Sequence, residues 1–367
     1  MSVRTHLSFA VREQAAPWRA TPDLSIVVVT HNGMDLALET LESAMARIGE
    51  ISVEWVIVDS GSTDGTPEAI EARWPQIEVT RLPNVGFAAA NNAGFAAARG
   101  RYLLALNPDT VVRWGRFAAV VEAMDARPKV GAASVIQEEA DGSLQSVRRD
   151  PTVARALCEA LLLRRLPGLR HVQERELDQR AYAQECSADW LVGAVLFLRR
   201  EAVAAVGGFD ERFFMYSEEA DLCRRIRAAG WEVRHLPAMR ILHYGGAPNP
   251  RLVAQQSYSR LQYAAKHFGR PRAVLYRAVL AVHHLVRLAG LVLRPGRRDR
   301  RAFQLRALLL VLGLADPPFG ARPAASAADS RKLDVDPSVD SMRAGSDLCE
   351  DAVMCGAPPP SVRRSAA

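Results

Sequence analysis

The chain has 367 residues, of which 49% are hydrophobic and 24% charged, a composition ordinary for a soluble globular protein. Its five cysteines form no CxxC pair and no even framework, which argues against a zinc site and favours a reducing compartment. The net charge of +6 is local, because the segment 260–306 holds twelve Lys or Arg and one acidic residue. The remainder of the chain is net acidic.

The first 22 residues are polar with scattered apolar groups, which predicts a loosely held leader without the apolar core of a signal peptide. No stretch reaches the roughly 20 apolar residues of a membrane span. The longest candidate, Val279–Leu293, is interrupted by His283, His284 and Arg287. We therefore expect a cytoplasmic protein without a transmembrane helix.

Apolar runs in the first third of the chain predict four buried strands, at 24–30, 53–58, 77–82 and 102–106. Helical patterns separate them, and a further helix is predicted over 114–126. Strands that alternate with helices at this spacing imply parallel βαβ units and an α/β fold.

Polar residues follow three of these strands, in the segments His31-Asn32, Asp59 to Asp64 and Asn107 to Asp109. Ligands of open α/β sheets bind at the carboxyl ends of the strands, so this convergence predicts a site. Asp109 could bind a divalent cation that bridges phosphates. The alternative is that Asn107 to Asp109 only forms a strand-ending turn, and Asp59 has the same alternative role.

The middle of the chain predicts further strands at 130–136, 190–198, 231–236 and 240–243. Asp141-Gly142 indicates a hairpin. Residues 151–187 are irregular, and we expect helical fragments and a mobile loop there.

An aromatic turn at 207–216 precedes a helix with Ser217 as its N-cap and three acidic residues in its first turn, Glu218, Glu219 and Asp221. Acidic residues are common at this place because they interact favourably with the helix dipole. However, a base that faces a phosphate-bound metal is the arrangement needed to move a group from a nucleotide. His243, at a strand end opposite Asp109, would be a third point of such a metal–diphosphate site.

The runs VVVTHNG, VIVDSGSTDGT and NVGFAAANNAGFAAARGRYLLALNPDT resemble the family 2 inverting glycosyltransferases, which have a GT-A fold. The run WLVGAVLFLRREAVAAVGGFDERFFMYSEEADLCRRIRAAGW, with the segment from Pro237 to His243, is similar to their acceptor half. The resemblance covers about residues 24–246 and is greatest to the bacterial rhamnosyltransferase branch. It implies a Rossmann-like, mainly parallel sheet flanked by helices.

The resemblance also implies roles for the residues that match the family motifs. The donor nucleotide would contact Thr30, Asn32, Asp59, Asn84, Asn91 and Asn107. The acceptor and the donor sugar would be bordered by Trp190, Gly193 and Ala194. Asp109 and His243 would hold Mn2+ or Mg2+, and the general base would be Glu219, with Glu218 and Asp221 as alternatives.

Two positions depart from the family pattern. Asn107 replaces the first Asp of the DxD motif, which leaves fewer anionic ligands. Glu219 stands where the base is usually Asp, and its side chain is one methylene longer.

The activity implied is an inverting single displacement from a nucleotide sugar to a cell-wall or polysaccharide acceptor, including lipid-linked glycans. L-rhamnose from dTDP-rhamnose is the expected donor, with galactofuranose and N-acetylglucosamine as alternatives. A nucleotide-sugar-binding protein without catalysis is a further alternative. A Rossmann dehydrogenase is disfavoured because the first strand ends in THNG and not in a G-x-G-x-x-G loop.

We expect a leader (1–22), a glycosyltransferase domain with a nucleotide half (23–110) and an acceptor half (111–250), a basic helical extension (251–316) and a disordered tail (317–367). The arginines of 270–314 could simply cover helix faces with their alkyl stems. The favoured interpretation is attachment to the anionic inner face of the plasma membrane. Nucleic-acid binding is not expected, since no recognised motif accompanies the charge.

Overall fold

The computed structural model describes residues 21–163, 172–176, 178–245, 250–292 and 298–319. The predicted leader up to residue 20 and the predicted tail from residue 320 lie outside the described residues, as does 164–171 of the predicted mobile loop.

The described chain contains strands β1 (Leu24–Thr30), β2 (Val53–Ser60), β3 (Val79–Leu82), β4 (Tyr102–Leu106), β5 (Thr110–Gly115), β6 (Val130–Glu139), β7 (Val147–Arg148), β8 (Cys186–Ser187), β9 (Trp190–Leu191), β10 (Val195–Arg199) and β11 (Glu232–His243). Its helices are α1 (Met34–Met45), α2 (Thr66–Arg73), α3 (Phe87–Ala97), α4 (Phe117–Asp125), α5 (Val153–Ala160), α6 (Arg200–Val206), α7 (Glu218–Ala228), α8 (Pro250–His267), α9 (Arg270–Val292) and α10 (Arg298–Leu312), with a 3-10 helix at Gln179–Ala183.

A nine-stranded sheet organises these elements, in the order β3-β2-β1-β4-β10-β6-β11-β5, with β8 paired to β11. The four strands from β3 to β4 are parallel, as predicted from their alternation with helices. Beyond them β10 runs antiparallel to β4 and β6, and β5 antiparallel to β11, so the sheet is mixed. The predicted α/β fold is confirmed.

The sheet has a hydrophobic layer on each face, and β1 shows how the sequence supplies both. Ile26 and Val28 contribute to one cluster, with α1, α2 and α4, while Val27 contributes to the other, with α3, α6 and α7. Successive side chains of a strand point to opposite faces, so an unbroken apolar run is required where both faces are covered.

The segment after Asp109 differs from its prediction. Thr110–Gly115 is a strand paired to β11, and the helix predicted over 114–126 begins only at Phe117. Thr110, Val111 and Val112 are buried in this pairing. Gly115 ends the strand with φ +85°, and a Cβ there would lie 2.5 Å from the Ala238 carbonyl oxygen, so the turn requires glycine.

Two further strand predictions were wrong in their boundaries. The strand predicted over 190–198 is split into β9 and β10 by Val192 to Ala194. The strands predicted at 231–236 and 240–243 are one strand, β11, whose register with β6 shifts between His235 and Arg240. Pro237 lies in that irregularity because it cannot donate to the ladder.

Helices α5, α8, α9 and α10 form a third hydrophobic cluster, around residues such as Ala160, Tyr276, Leu280 and Val311. Of the helices described, one is long and apolar enough to cross a membrane by length and composition, Arg270–Leu291, with 28% of the apolar window buried. Its packed face is polar in part, because His284 lies 3.0 Å from Ser257 Oγ and 2.8 Å from Gln304 Oε1.

The described residues extend to Phe319, within the segment 317–367 that we expect to be a tail. The Phe319 ring stacks on Phe214 with a centroid separation of 5.3 Å. The Phe319 amide donates to Gln255 Oε1 at 3.3 Å. The segment after α10 therefore packs on the aromatic turn that precedes α7.

Candidate active site

Hydrogen bonds connect the loop that follows β1 with the loop that follows β2. Thr30 lies beside Asp59 in the parallel pair, and Asp59 accepts hydrogen bonds from the Ser62 amide at 2.8 and 3.0 Å. The Asn32 amide donates to Ser62 Oγ at 2.7 Å, and Asn32 Oδ1 accepts from the Thr63 amide at 2.9 Å. Thr30, Asn32 and Asp59, predicted to bind the donor, are thus brought together at one edge of the sheet.

Asn84 and Asn91 flank the start of α3 and differ in their surroundings. Asn84 is exposed, and its Nδ2 lies 3.5 Å from His31 Nε2. Asn91 is buried, and its Nδ2 donates to the Phe87 carbonyl oxygen at 2.9 Å within the same helix. Asn84 therefore offers its amide to a ligand at the β1 end, whereas the Asn91 amide is already engaged.

Three strand ends bring two carboxylates and an imidazole together. His243 Nε2, at the end of β11, lies 3.4 Å from Asp109 Oδ1, and His243 Nδ1 lies 3.0 Å from Glu139 Oε1, at the end of β6. The Tyr244 amide donates to the Asp109 carbonyl oxygen at 2.9 Å, which holds the two segments together. The predicted hairpin is present, since the Gly142 amide donates to the Glu139 carbonyl oxygen at 2.8 Å. The structure therefore places Asp109 and His243 in contact.

Asp109 is the residue of this cluster that fits a divalent cation, because its Oδ1 is closed to solvent and makes no hydrogen bond within the described chain. Burial lowers the pKa of His243, but the carboxylates of Asp109 and Glu139 outweigh it and raise that pKa to about 10. A cation at His243 Nε2 would have to displace the proton held there, since only the neutral imidazole ligates a metal, and Glu139 would then support the ring through Nδ1. No group of three or more His, Cys, Asp or Glu that could hold a metal occurs within the described ranges. Mg2+ needs fewer than three protein ligands, because substrate phosphates and water complete its coordination shell.

Helix α7 begins after a turn with two left-handed residues, Tyr216 at φ +70° and Ser217 at φ +67°. Ser217 occupies the N-cap position, but its side chain makes no capping hydrogen bond to α7, so the prediction that it caps the helix was wrong in that respect. The turn is fixed elsewhere: the Phe87 amide donates to the Phe214 carbonyl oxygen at 2.7 Å. Gly86, at φ +83°, allows this approach, because a Cβ there would collide with the same carbonyl.

Glu219 faces Gly193 across the predicted acceptor side of the site. A Cβ on Gly193 would lie 3.7 Å from Glu219 Cβ. Glu219 is half-buried, and its Oε2 is closed to solvent without a hydrogen-bond partner among the described residues. Burial raises the pKa of Glu219 to about 7. This carboxyl group is therefore suited to accept a proton near neutral pH.

The other two acidic residues of the turn have different surroundings. Glu218 is only 4% exposed, and burial, followed by the charge of Glu219, raises its pKa well above the usual range. Asp221 has no exposed surface and contacts Arg225 Nε at 2.7 Å, Lys266 Nζ at 2.5 Å and His267 Nε2 at 2.7 Å. Burial raises the pKa of Asp221, but these partners outweigh it and lower that pKa overall. Asp221 is therefore a fixed anion that joins α7 to α8.

Family models match most of the chain: "Glycosyl transferase family 2" over residues 25–180 and "Glycosyl transferase family group 2" over residues 168–311. An N-acetylglucosaminyl-diphospho-decaprenol L-rhamnosyltransferase of Mycobacterium tuberculosis is 32% identical over 322 residues, which span 80% of this chain and 99% of that protein. The chain belongs to glycosyl transferase family 2.

Two further comparisons agree with this assignment. Rhamnosyltransferase WbbL of Escherichia coli K12 is 22% identical over 178 residues, which cover 48% of this chain and 64% of that protein. The solved structure of GalNAc-T7 with UDP, GalNAc and Mn2+ covers 80% of this chain and 56% of its own, with a TM-score of 0.50 and 13% identity. The family 2 chain is therefore a glycosyltransferase with a GT-A fold, and its relatives support the rhamnosyltransferase branch.

The remaining predicted residues of the glycosyltransferase lie in two places: Asn107 and Ala194 at the junction of β4 and β10, and Trp190 in β9, which pairs with β7. The Asn107 amide donates to the Ala194 carbonyl oxygen at 2.9 Å, and Asn107 Oδ1 is buried without a partner in the described chain. Trp190 is buried, and its Nε1 donates to the Arg149 carbonyl oxygen at 2.9 Å. The hydrogen bond from Asn107 to Ala194 therefore joins two family 2 motifs that are distant in sequence.

Sequence reasoning missed two groups of this glycosyltransferase. Glu139 was not singled out, because an acidic residue before a hairpin is normally solvated, although its place at a strand end was a usable signal. Arg148, in β7, lies over the Trp190 ring with its guanidinium carbon 5.6 Å from the ring centroid. Nothing in the local pattern distinguishes it from the neighbouring arginines.

Proposed function

We propose that this family 2 enzyme transfers L-rhamnose from dTDP-L-rhamnose to a lipid-linked acceptor sugar, with inversion at the anomeric carbon. The observation that carries the proposal is the arrangement of Glu219: a carboxyl group with a raised pKa, open towards Gly193 at the start of α7. The Mycobacterium tuberculosis relative, an N-acetylglucosaminyl-diphospho-decaprenol L-rhamnosyltransferase, supports the sugar and the acceptor class. Galactofuranose and N-acetylglucosamine stay as alternative donor sugars.

In the proposed reaction, Glu219 accepts the proton of the acceptor hydroxyl while the hydroxyl oxygen attacks the anomeric carbon of the donor. The bond between that carbon and the diphosphate oxygen breaks, and the nucleoside diphosphate leaves with the electron pair. Asp59, Asn32 and Thr30 hold the nucleotide at the β1–β2 edge. Trp190 and Gly193 border the sugars, and a side chain at Gly193 would narrow the gap before Glu219.

Asp109 and His243 would hold Mn2+ or Mg2+ in this proposal, with Glu139 supporting the imidazole. When bound, the ion supplies positive charge that stabilises the leaving diphosphate. Asn107, two residues before Asp109, bears no charge, so Asp109 would provide the anionic ligand of this motif.

The basic extension is the part of the enzyme that we assign to the cytoplasmic membrane surface, where a lipid-linked acceptor would be found. Exposed apolar side chains accompany its arginines on α9, including Val274 at 69% and Leu275 at 53% exposure. Basic residues near an anionic surface each contribute about 1 kcal/mol to binding.

The test is a panel of nucleotide sugars screened for protection against thermal unfolding, with and without Mn2+, followed by transfer to an N-acetylglucosaminyl-diphospho-lipid. We expect dTDP-L-rhamnose to protect best, more strongly with Mn2+, and to yield a glycosylated lipid of inverted configuration. Protection without transfer or donor hydrolysis would instead indicate a nucleotide-sugar-binding protein. Stronger protection and turnover with another sugar would replace rhamnose.

A further inference from the structure

Arg148 lies beside the predicted acceptor border, and its guanidinium group forms no ion pair among the described residues. It pairs with Trp190 in the β7–β9 ladder, and its guanidinium carbon lies 5.6 Å from the Trp190 ring centroid. Its Nη2 donates to Gln145 Oε1 at 3.2 Å, while Nε is closed to solvent and has no partner within the described chain. A guanidinium has five N–H donors, so most of them are left for a ligand.

The charges around Arg148 compensate it only in part, because its nearest counter-charge, Glu174, attracts it without forming an ion pair and also binds Arg260. Among the described residues it forms no ion pair within 4.0 Å, whereas nearby Arg260 contacts Glu159 at 3.4 Å and Glu174 at 3.7 Å. Arg175, its partner in an isolated bridge, donates to the Leu144 carbonyl oxygen at 2.7 Å and adds positive charge. A half-buried cation whose counter-charge is shared with a second arginine is only partly compensated, so a bound anion would stabilise it.

Contacts place the Arg148 guanidinium between the donor side and the acceptor side of the candidate active site. Towards the donor, Gln145 Nε2 lies 3.5 Å from His243 Nδ1. Towards the acceptor, Arg148 stacks on Trp190, and the chain continues through β9 to Gly193, which faces Glu219. The donor diphosphate has its own partners at Asp109 and His243 in the proposed function, so the anion at Arg148 should come from the other substrate.

We propose that Arg148 binds the diphosphate through which the acceptor sugar is joined to its lipid, while Trp190 contacts the adjoining sugar. This inference rests on the proposed function. It makes Arg148 a specificity-determining residue, which selects a phosphorylated acceptor over a neutral glycoside. Arginine is suited to this role because its planar fork can donate two hydrogen bonds to one phosphate.

The experiment compares two acceptors with the full-length chain: an N-acetylglucosaminyl diphosphate carrying a short alkyl chain, and the same alkyl glycoside without the diphosphate. For Arg148→Gln we expect the kcat/KM ratio of the diphosphate acceptor to the neutral acceptor to fall about 10- to 100-fold, the range of a lost charge-assisted contact. The change should lie in KM for the acceptor, with KM for the donor unchanged.

Comparing the kcat/KM values of the two acceptors as a ratio also cancels a second effect of Arg148→Gln, which is its effect on the pKa of Glu219. Arg148 lowers the pKa of Glu219 through its charge, so its loss changes the pH dependence with both acceptors equally. Arg148→Lys keeps the charge without the fork and should retain part of the preference. Arg180→Gln is the matched control, because Arg180 is exposed on the 3-10 helix, and its ratio should equal that of the unmodified chain.

The outcomes separate this inference from the proposed function. An equal loss with both acceptors in Arg148→Gln and in Arg148→Lys would overturn the inference, as would a rise in KM for the donor, which would assign Arg148 to the donor diphosphate. Absence of transfer by the unmodified chain to either acceptor, with every donor of the panel, would instead overturn the proposed function.

Discussion

Glu219 and Asp221 lie two residues apart in the first turn of α7, but their electrostatic surroundings are opposite. Glu219 has a buried, unpartnered oxygen within the described chain and a pKa raised to about 7 by burial. Asp221 is surrounded by three basic side chains within 2.7 Å. A base must be able to take up a proton during the reaction, which favours Glu219 in this role.

Replacement of the base is the first prediction. Glu219→Gln keeps the size of the side chain but cannot accept the proton, so transfer should fall by about 100- to 10,000-fold. Donor binding, measured by thermal protection with dTDP-L-rhamnose and Mn2+, should be unchanged. Glu201→Gln is the matched control, since Glu201 is an exposed glutamate in the first turn of α6. Near-normal transfer by Glu219→Gln would exclude Glu219 as the base.

The pH dependence of kcat/KM is the second prediction. Because the pKa of Glu219 is raised to about 7, the base is protonated below that pH, and the rate should fall about tenfold per pH unit there. Above about pH 7 the rate should level off. A profile that stays flat down to pH 5 would contradict the raised pKa or the role of Glu219.

The raised pKa of Glu219 also lowers the stability of the folded chain at high pH, the same pH range in which it favours the reaction. The folded chain holds the Glu219 proton more tightly than the unfolded chain, so the stability that this residue contributes is lost as the pH rises from 4.5, the ordinary pKa of a glutamate, to about 7. Glu219→Gln should therefore unfold at a higher temperature than the unmodified chain at pH 8, with a smaller difference at pH 5. Calorimetry at both pH values measures the two differences.

Single residues could be predicted where the local pattern determines their position. Asp109 follows a buried strand and a proline, so its place at the sheet edge follows from the sequence. Glu139 and Arg148 could not be found in this way, because their importance depends on long-range pairing. Glu139 contacts His243 only through the β6–β11 register, and Arg148 contacts Trp190 only through β7 and β9.

At the scale of elements, α8 holds the base helix and the turn before it. Lys266 and His267 bind Asp221 of α7, and Lys266 also contacts Asp210 at 2.6 Å. Ser259 Oγ donates to the Met215 carbonyl oxygen at 2.7 Å, and Gln262 Nε2 donates to that of Arg212 at 2.8 Å. The first helix of the basic extension thereby helps to position Glu219.

Asp221→Asn tests this connection and is the third prediction. Removal of one charge from a buried cluster leaves its partners uncompensated, so the free energy of unfolding should fall by about 3 kcal/mol. Urea denaturation measures the loss. Asp35→Asn, an exposed aspartate in the first turn of α1, should lower the free energy of unfolding by less than about 1 kcal/mol. If Asp221→Asn kept its stability and lost transfer, Asp221 would replace Glu219 as the candidate base.

Helices and strands could be predicted where the hydrophobic periodicity of the sequence agrees with the helical layers that cover the sheet. β1 and β4 are buried along their whole length, and the parallel order of the strands from β1 to β4 follows from the helices between them. β3 lies at the edge of the sheet, where Thr80 and Arg81 are exposed. β5 was missed because its apolar part is short and runs into the residues of α4. The break between β9 and β10 could not be predicted, because Ala194 accepts its hydrogen bond from the Asn107 amide, which is distant in sequence.

For the whole molecule, α9 has one packed face and one exposed face. Tyr276, Val279 and Leu280 pack into the cluster shared with α5, α8 and α10. Val274, Val282 and Leu285 are exposed and lie on one side of the helix by their spacing, with Arg272 and Arg277 also exposed. Deletion of the extension would remove the packed face as well, so membrane binding is better tested by substitutions on the exposed face.

The fourth prediction concerns this exposed face. The double variant Arg272→Gln and Arg277→Gln should weaken binding to vesicles that contain anionic phospholipid by about tenfold or more, because each charge contributes about 1 kcal/mol. Leu275→Ser combined with Leu285→Ser should weaken it independently by reducing the apolar area that enters the interface. Cosedimentation with vesicles at low and high salt measures both effects.

Salt separates the two contributions to membrane binding. Screening shortens the range of charge interactions from about 10 Å at 0.1 M to about 3 Å at 1 M ionic strength, so binding of the unmodified chain should fall with added salt. The arginine variant should lose part of this salt dependence, because other basic residues of the extension remain, whereas the leucine variant should keep it in full. Arg113→Gln with Arg116→Gln is the matched control, since both residues are exposed but lie at β5 and α4, outside the extension. Equal vesicle binding by all four proteins at every salt concentration would show that α9 does not contact the membrane, and the extension would then act only by holding α7 in place.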